Sequence, residues 1–546
     1  MGAGASAPGR DSRLEEARSR SWDSILVFAV PFMVVLAIAL YRERRLFTTP
    51  IYPWGDAALN SLLVIRAEHF EQLVGNYSRV GFHHPGPAFF YVQAAGIFVF
   101  RDVLHVAAGA YNAQLLGITV YVSALVGLAT SSVYRSTRSA GPAVLCFGLF
   151  FVFAARGGLF AGDWFPTLYI STFFVFIVAA GGLAAGRTAE FSLATFAGAM
   201  LIEGHVSFLM FVGVTSMLAA GAWYLVHRRG ARAEMRRHRR ALVGSGLLVV
   251  VFAVPMVAEL VLHFPGPWSK YFHYIGSAKL APRTFGQAVR FEYNYFSQAH
   301  FPPLLFGVAA LVAVALILTE HDAARRRLYT RWYGACALET ILVGYYLYHE
   351  VDALSNANTY VAQFYETVPL LLLVAAGGQL LERAAQRGRR HGPLRGRHYT
   401  ASLPGRFPAG ILAALSLAGG FTCLAVSGPS LSALPAAQSD MVAAVSAMRS
   451  DPGVSGRRIA LVEANLSAWP ETAGLSIALQ RSGAAWCLKG TLPSDRVLFT
   501  DAYLCGAASG PLAVLSVSVT PPPKGAVTIW SGSLGNVSTC YVYSAA

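Results

Sequence analysis

The stretch SILVFAVPFMVVLAIAL, residues 24–40, decides the fold class, because it is an apolar run without a charged side chain. A helix needs about 20 such residues to cross a bilayer, and a spanning segment must satisfy its own backbone hydrogen bonds. Ten further apolar blocks follow, which brings the predicted number of crossings to eleven. They lie near residues 106–131, 142–155, 164–183, 190–202, 206–226, 241–262, 302–319, 332–349, 360–380 and 407–427.

The composition agrees with a membrane protein and excludes a soluble one of this length. Hydrophobic residues make up 55% of the 546 residues and charged residues only 13%, too few to cover a soluble surface. The net charge of +15 comes mainly from short clusters between apolar blocks. No basic face carries interleaved exposed aromatics, so we expect the lipid bilayer as a partner and no nucleic acid. Only four of the 43 basic residues are Lys, a composition typical of a high-GC bacterium.

Three Arg-rich segments indicate the orientation. Residues 227–240 hold seven Arg, 321–331 hold four and 381–406 hold seven. Two predicted spans separate each neighbouring pair, so all three segments lie on one side, which the positive-inside rule makes cytoplasmic. The N-terminal tail, residues 1–23, is then cytoplasmic, and the protein is a multi-pass protein of the bacterial plasma membrane.

The same orientation places three long segments outside the cell: a first loop at residues 41–105, a loop at 263–301, and the tail. The cluster of Arg42, Arg44 and Arg45 argues against it, because these cations fall on the outer side. Residues 87–100 are apolar but too short for a span, which favours an interfacial or re-entrant helix.

The tail, residues 428–546, reads as a soluble extracytoplasmic α/β domain after the transmembrane domain of residues 24–427. Strand-like segments alternate with one helix-like segment, and Pro521 to Pro523 mark a break. The predicted strands are 458–462, 485–488, 512–519 and 526–530, and the predicted helix is 471–481. Cys487 and Cys505 are the favoured disulfide pair, because disulfides persist outside the cytosol. Cys540 has no assigned partner, and Cys146, Cys336 and Cys423 are expected to pack in or near spans.

The first outer loop carries the most chemistry. It reads Tyr52-Pro-Trp-Gly-Asp56 and, after an amphipathic stretch, Tyr77-Ser-Arg79-Val-Gly-Phe-His83-His84-Pro85-Gly-Pro87. An acid after a helix-breaking Gly, followed by Tyr, Arg and two His, is typical of a catalytic site. The alternative is that Asp56 only caps the next helix, which Asp does well.

These motifs resemble the GT-C glycosyltransferases, in particular actinobacterial members of arabinosyltransferase or mannosyltransferase type. The resemblance rests on Gly55-Asp56 after the first span, on residues 77–87, and on Glu203-Gly-His205-Val-Ser207. It implies a GT-C-like membrane domain, a polyprenyl-phosphoryl sugar as donor, and an extracytoplasmic cell-wall glycan or lipid-linked acceptor.

The resemblance also implies roles for single residues. Asp56 corresponds to the general base beside the acceptor hydroxyl. Because the leaving group is a phosphate, cations matter, and Arg can grip a phosphate bidentately. The candidate cations are Arg79, Arg156, Lys270 and Arg283, with Arg290 in the same loop. The alternative is that they meet lipid headgroups.

Further candidates are Asp163 and Glu203 as additional acids, with Tyr77, His83, His84 and His205 in substrate binding. Ionisable groups at membrane depth are costly and usually functional, although Glu203 can also serve as a structural partner of His205 or an Arg. The cofactor is unknown: the three His with Asp56 or Asp163 can form a divalent metal site, but no ligand spacing supports it.

Two further outer loops each allow two interpretations. The aromatics of residues 263–301 fit an interfacial belt or a lid over the lipid carrier, and His349, Glu350 and Asp352 fit sugar contacts or a plain loop. The rival functions are a transporter or lipid-carrier flippase, which predicts charge near mid-membrane and internal repeats, and a non-catalytic scaffold.

Overall fold

Helices occupy almost all of the described chain before residue 391. The computed structural model describes residues 10–78, 81–160, 162–277, 284–298, 303–349, 359–390, 437–490, 495–506, 511–534 and 537–544. The helices are α1 (Arg10–Arg42), α2 (Asp56–Glu68), α3 (Ala88–Ile97), α4 (Ala110–Thr137), α5 (Ala140–Arg156), α6 (Phe165–Ala184), α7 (Phe191–Gly204), α8 (Phe208–His227), α9 (Ala231–Arg237), α10 (Arg239–Leu262), α11 (Gly266–Ser277), α12 (Phe285–Gln298), α13 (Pro303–Leu318), α14 (Ala323–His349) and α15 (Thr367–Arg390). Short 3-10 helices at Arg44–Phe47, Thr188–Glu190 and Thr359–Glu366, and a π-helix at Phe98–Val103, lie between them.

Six stretches of the described helices are long and apolar enough to cross a membrane. They are Ile25–Arg42, Ala110–Thr137, Phe165–Ala184, Phe208–His227, Arg239–Leu262 and Tyr360–Arg387. Two shorter apolar helices are Ala140–Arg156 and Leu304–Leu318. The predicted span at 407–427 lies outside the described residues, so the count of eleven stays a prediction.

The helices of the membrane part differ in what they face. Phe173 and Phe174 of α6 are completely buried, whereas Val250 of α10 and Leu311 of α13 are 58% and 74% exposed. Outward-facing apolar side chains are costly in water but not in lipid, which is as apolar as they are. The membrane part therefore has a packed interior and a lipid-compatible rim.

The C-terminal domain is built on one mixed sheet. Its strands follow two short strands of the first long loop, β1 (Tyr77–Ser78) and β2 (Phe82–His83). They are β3 (Arg458–Glu463), β4 (Trp486–Leu488), β5 (Leu512–Ser518), β6 (Val527–Leu534) and β7 (Val537–Ser544), in the order β4-β3-β5-β7-β6. β3 pairs in parallel with β4 and β5, and β7 runs antiparallel to β5 and β6. Its helices are α16 (Ala437–Ser450), α17 (Trp469–Arg481) and α18 (Asp495–Leu498).

The predicted class, a polytopic helical protein with a small C-terminal α/β domain, is confirmed. The four predicted strands and the predicted helix each correspond to an observed element, while β7 is additional. Cys487 and Cys505 are joined by a disulfide, and Cys540 is a buried thiol. The predicted domain boundary at residue 427 lies outside the described part of the chain.

The C-terminal domain shares its hydrophobic core with the first long loop. Ala58, Leu59 and Leu62 of α2 are buried in the same cluster as the strands β3 and β5. Arg481 of α17 forms a two-point ion pair with Glu68 at the end of α2, at 2.7 and 3.3 Å. The helix that begins at Asp56 thus lies between the membrane part and the C-terminal domain.

Candidate functional site

Asp56 is the first residue of α2, and the chain reaches it through a sharp turn. Gly55 has φ +58° and ψ −131°, a backbone conformation that is unfavourable for residues with a side chain but accessible to glycine. The segment before the turn is held by Asn112 of α4. Its amide donates to the carbonyls of Leu46 and Thr49, at 3.0 and 2.8 Å, and accepts from the Ile51 N–H at 2.9 Å. The segment that leads to Asp56 is therefore held by the membrane part.

The Asp56 carboxylate accepts a hydrogen bond from the hydroxyl of Tyr77. Asp56 is half-buried, and Tyr77 is buried. The described contacts thus leave Asp56 as an oriented, partly accessible carboxylate.

A second carboxyl group, that of Asp163, lies near enough to Asp56 for the charge of Asp56 to raise its pKa. It is buried, and its Oδ2 accepts a hydrogen bond from the Tyr111 hydroxyl at 3.1 Å. Burial raises the pKa of Asp163 to about 6, the Tyr111 hydrogen bond opposes this rise, and the charge of Asp56 adds to it. Two carboxyl groups in different environments are the usual basis of divided acid and base roles.

Two short strands, β1 (Tyr77–Ser78) and β2 (Phe82–His83), form a hairpin that links Tyr77 to the predicted His pair. Tyr77 lies opposite His83 in the register. The Nδ1 of His83 contacts the Gly75 carbonyl at 3.3 Å, and Tyr271 of α11 donates to the His83 carbonyl. Burial lowers the pKa of His83 to about 4, and the nearby charge of Lys270 also lowers it. His83 is therefore neutral near pH 7.

Glu203, at the end of α7, contacts the start of α3. Its Oε2 accepts the N–H of Ala88, the first residue of α3, at 2.9 Å. Its Oε1 is buried and has no hydrogen-bond partner, and its backbone carbonyl accepts the Gly86 N–H at 3.0 Å. A Cβ at Gly86 would lie 2.4 Å from Cγ of Glu203. These contacts are those of a tightly packed helix cap, rather than of the predicted pairing with His205 or an Arg.

His84 and His205 lie against each other, with ring centroids 4.0 Å apart. The Nδ1 of His205 accepts the Ser207 N–H at 3.2 Å, and the Nδ1 of His84 accepts the Val206 N–H at 3.5 Å. Both rings therefore carry their proton on Nε2 when neutral. Burial holds the pKa of His84 well below its usual value, so this pair contributes no positive charge near pH 7.

The metal-site hypothesis has no support in the described residues. Among them, no group of three or more His, Cys, Asp and Glu is arranged to hold a metal ion. His84 stacks on His205, while His83 contacts Gly75 and Tyr271.

The predicted cations are spread around the hairpin or lie outside the described residues. Lys270 is exposed on α11 and close enough to His83 to affect its pKa. Arg156 is exposed in the last turn of α5. Arg79 and Arg283, together with Glu350 and Asp352, lie outside the described residues. Arg290 and His349 are exposed.

The aromatics of the predicted belt or lid divide into two groups. Tyr271, Phe291 and Tyr295 are buried, whereas Phe272 and Phe285 are 70% and 76% exposed. The buried group joins α11 and α12 to the rest of the protein, because Tyr295 accepts the Ala362 N–H at 3.1 Å.

Three hydrogen bonds of the site were not predicted from the sequence. Tyr111 donates to Asp163, Asn112 donates to the loop before Asp56, and Trp54 donates to Glu471 of α17. Tyr111 and Asn112 begin α4 and show no local signal of their role. Trp54 does, since it directly precedes the Gly55-Asp56 pair.

No protein-family model matches the chain, and no curated protein matches it. Among solved structures, it is similar to ArnT from Cupriavidus metallidurans in the apo state. The TM-score is 0.54 at 11% identity, over 96% of this chain and 98% of that one. ArnT from the same organism bound to undecaprenyl phosphate gives a TM-score of 0.52 at 13% identity, over 95% and 97%. The coverage includes the membrane part and the C-terminal domain, and the chain therefore has the fold of ArnT.

Proposed function

We propose that this protein is a membrane glycosyltransferase of GT-C type that moves a sugar from a polyprenyl phosphate to a hydroxyl acceptor. The observation that carries the proposal is the carboxyl pair at the start of α2, where Asp56 is oriented by Tyr77 and Asp163 lies close by. The ArnT fold supports it, because one ArnT structure is bound to undecaprenyl phosphate.

In the proposed reaction, Asp56 acts as general base. It takes the proton of the acceptor hydroxyl while that oxygen attacks the anomeric carbon of the sugar. The bond from the anomeric carbon to the phosphate oxygen breaks, and polyprenyl phosphate leaves with the electron pair. Tyr77 holds the carboxylate in place, and Asp163 adjusts the local charge as a second acid.

The departing phosphate needs positive charge. We assign this role to Lys270 beside the hairpin, and to Arg79, Arg156 and Arg283 on the resemblance alone. The neutral His83, His84 and His205 are assigned to hydrogen bonding and packing around the substrate rather than to charge. Preorganised cations of this kind stabilise charge that develops in the transition state.

The proposed orientation puts the C-terminal domain outside the cell and the N-terminus in the cytoplasm. Two features support it. The disulfide Cys487–Cys505 suits an oxidising compartment, and the Arg-rich segments that contain α9 and the start of α14 suit the cytoplasmic side. The acceptor is then an extracytoplasmic glycan or lipid, and the sugar is of arabinosyl or mannosyl type.

The test is a transfer assay with purified protein in liposomes, a polyprenyl-phosphoryl arabinose or mannose, and a cell-wall glycan acceptor. We expect transfer by the wild type and a rate at least about 100-fold lower for Asp56→Asn, which is the usual size of a general-base effect. The matched control is Asp102→Asn, an exposed acid of the same loop that forms an ion pair with its neighbour Arg101 at 2.9 Å.

Two results would contradict the proposal. If a folded Asp56→Asn protein transfers sugar at the normal rate, Asp56 is not the general base. A wild type that carries the lipid or sugar across vesicles without forming a glycosidic bond favours the transporter hypothesis.

A further inference from the structure

The geometry points to a positioning residue in the C-terminal domain: Glu471 holds Asp56 in place through Trp54. This inference rests on the proposed function, in which Asp56 is the base. It gives the C-terminal domain a role in the reaction, although the domain contributes no group to the carboxyl pair itself.

The contact is made by the two residues that precede Asp56. The indole N–H of Trp54 donates to Oε1 of Glu471 at 3.3 Å. The backbone N–H of Gly55 donates to the carbonyl of Pro470 at 3.3 Å. Two consecutive residues of the loop are thus bound to the first turn of α17, which lies more than 400 residues later in the chain.

Burial of Glu471 is energetically unfavourable for a residue that makes a purely structural contact. It is completely buried, and its second oxygen, Oε2, has no hydrogen-bond partner. Burying a carboxylate with an unpaired oxygen is costly, and an apolar residue of similar size would pack there at less cost. The retained acceptor is explained if its task is to fix the Trp54 side chain.

The loop also packs against α17 at a glycine of that helix. A Cβ at Gly474 would lie 3.6 Å from the Pro53 carbonyl and 3.8 Å from Cδ1 of Trp54, both ordinary van der Waals distances. Residues 53 and 54 therefore lie close to the helix backbone at Gly474. The loop is thus held on α17 by close packing as well as by hydrogen bonds.

The rest of α2 is held by the same domain through separate contacts. Arg481 pairs with Glu68 at the far end of α2, and the Tyr503 hydroxyl donates to the Leu62 carbonyl at 2.9 Å. With Trp54 at the near end, α17 and its neighbours contact α2 along its length. Loss of the Trp54 contact therefore frees only the turn that carries Asp56.

The consequence for the reaction follows from distance. A general base must lie within hydrogen-bond reach of the proton that it accepts. A displacement of about 1 Å costs up to about 100-fold in rate. We expect Trp54→Phe, which keeps an aromatic ring of smaller size and removes the indole N–H, to lower kcat about 10-fold while KM for the lipid donor stays unchanged.

The experiment compares four variants of the full-length protein. Trp54→Phe and Glu471→Ala remove the contact, whereas Glu471→Gln keeps an acceptor and is expected to restore most of the rate. The matched control is Trp486→Phe, because Trp486 also donates its indole N–H to a side chain of the same domain, Oε1 of Gln480 at 2.8 Å. Unfolding temperatures verify that each variant is folded.

A second readout does not depend on activity. The N–H groups of Ala58 and Leu59 donate to the Gly55 carbonyl, at 3.0 and 3.1 Å, and close the first turn of α2. Their hydrogen exchange, measured by mass spectrometry, should be about fivefold faster in Trp54→Phe and Glu471→Ala, and unchanged in Trp486→Phe.

The outcomes separate the two claims. Faster exchange together with a lower kcat supports positioning by Glu471. Normal exchange in Trp54→Phe, or faster exchange with a normal kcat, overturns it. If the wild type transfers no sugar at all, the proposed function fails, and the exchange comparison alone decides whether Glu471 holds the turn.

Discussion

Two helices of the first long loop begin beside an acid, and the two acids have different surroundings. At the start of α2, Asp56 is half-buried, belongs to the helix itself and accepts a tyrosine hydroxyl. At the start of α3, Glu203 comes from a distant helix, is 2% exposed and accepts a backbone N–H. Each carboxyl group thus lies at the N-terminal end of a helix.

The different surroundings distinguish an acid that is able to react from an acid that has a structural role. The Asp56 carboxylate remains partly accessible, and its partner is a side chain that orients it. The Glu203 carboxylate is enclosed by Gly86 and by the first N–H of α3. We infer that Asp56 is placed to react and Glu203 to hold the loop.

The largest expected effect is a difference between the two acids: substitution of Asp56 should lower the transfer rate, and substitution of Glu203 should lower stability. Asp56→Asn should lower transfer at least about 100-fold and leave the unfolding temperature almost unchanged, because Asn keeps an acceptor for Tyr77. Glu203→Gln should leave the rate per folded molecule intact and lower stability by about 1 kcal/mol, since the Gln amide brings N–H donors into an enclosed site where Oε1 of Glu203 already has no hydrogen-bond partner. Parallel transfer assays and thermal unfolding in detergent measure both.

A contrary result for either acid would contradict this difference. If Glu203→Gln abolished transfer with no loss of folded protein, Glu203 would belong to the reacting groups, as the resemblance of its motif to those of GT-C enzymes implies. If Asp56→Asn mainly reduced stability, the helix-capping interpretation of Asp56 would gain support.

The next effect concerns the glycine that encloses Glu203. Gly86→Ala would put a Cβ 2.4 Å from Cγ and 2.7 Å from Oε2 of Glu203. Because that side chain is buried and bonded to Ala88, we expect a loss of about 1–3 kcal/mol, as for other overpacked sites. The readout is unfolding temperature and the yield of monodisperse protein.

The matched control for that substitution is Gly213→Ala in the middle of α8. A Cβ there meets no atom within 4 Å, and Ala is the better helix former. It should leave stability unchanged or slightly raised. Equal losses in both variants would mean that the enclosure of Glu203 has no special cost.

The part of this architecture that could be predicted is the part that leaves a local pattern. Apolar length marks the spans, and short alternating runs mark β3 and β5, because each property lies within a few neighbouring residues. The Gly55-Asp56 pair and the two His were singled out in the same way. Their roles stay predictions.

The rest depends on contacts between distant parts of the chain. Glu203 meets Ala88 across 115 residues, and Trp54 meets Glu471 across 417. No spacing rule connects such pairs. The start of α4 carries Tyr111 and Asn112 to the site only because α4 packs beside the loop, and its sequence resembles that of any apolar helix. The partner of an acid was therefore the least predictable feature.

The smallest effect tests the neighbour of Asp56 rather than Asp56 itself. The Tyr111 hydroxyl stabilises the ionised form of Asp163, whose pKa is about 6. Tyr111→Phe removes that donor, so the pKa of Asp163 should rise. If an ionised Asp163 is required for transfer, kcat/KM falls as the pH drops through this pKa, and in the variant it falls at a higher pH. The pH profile of Tyr121→Phe, which removes the hydroxyl that contacts Thr172 at 2.8 Å, is the control and should match the wild type. A Tyr111→Phe profile identical to the wild type would show that Asp163 does not titrate in the reaction, which would leave Asp56 as the only acid of the pair that acts on the acceptor.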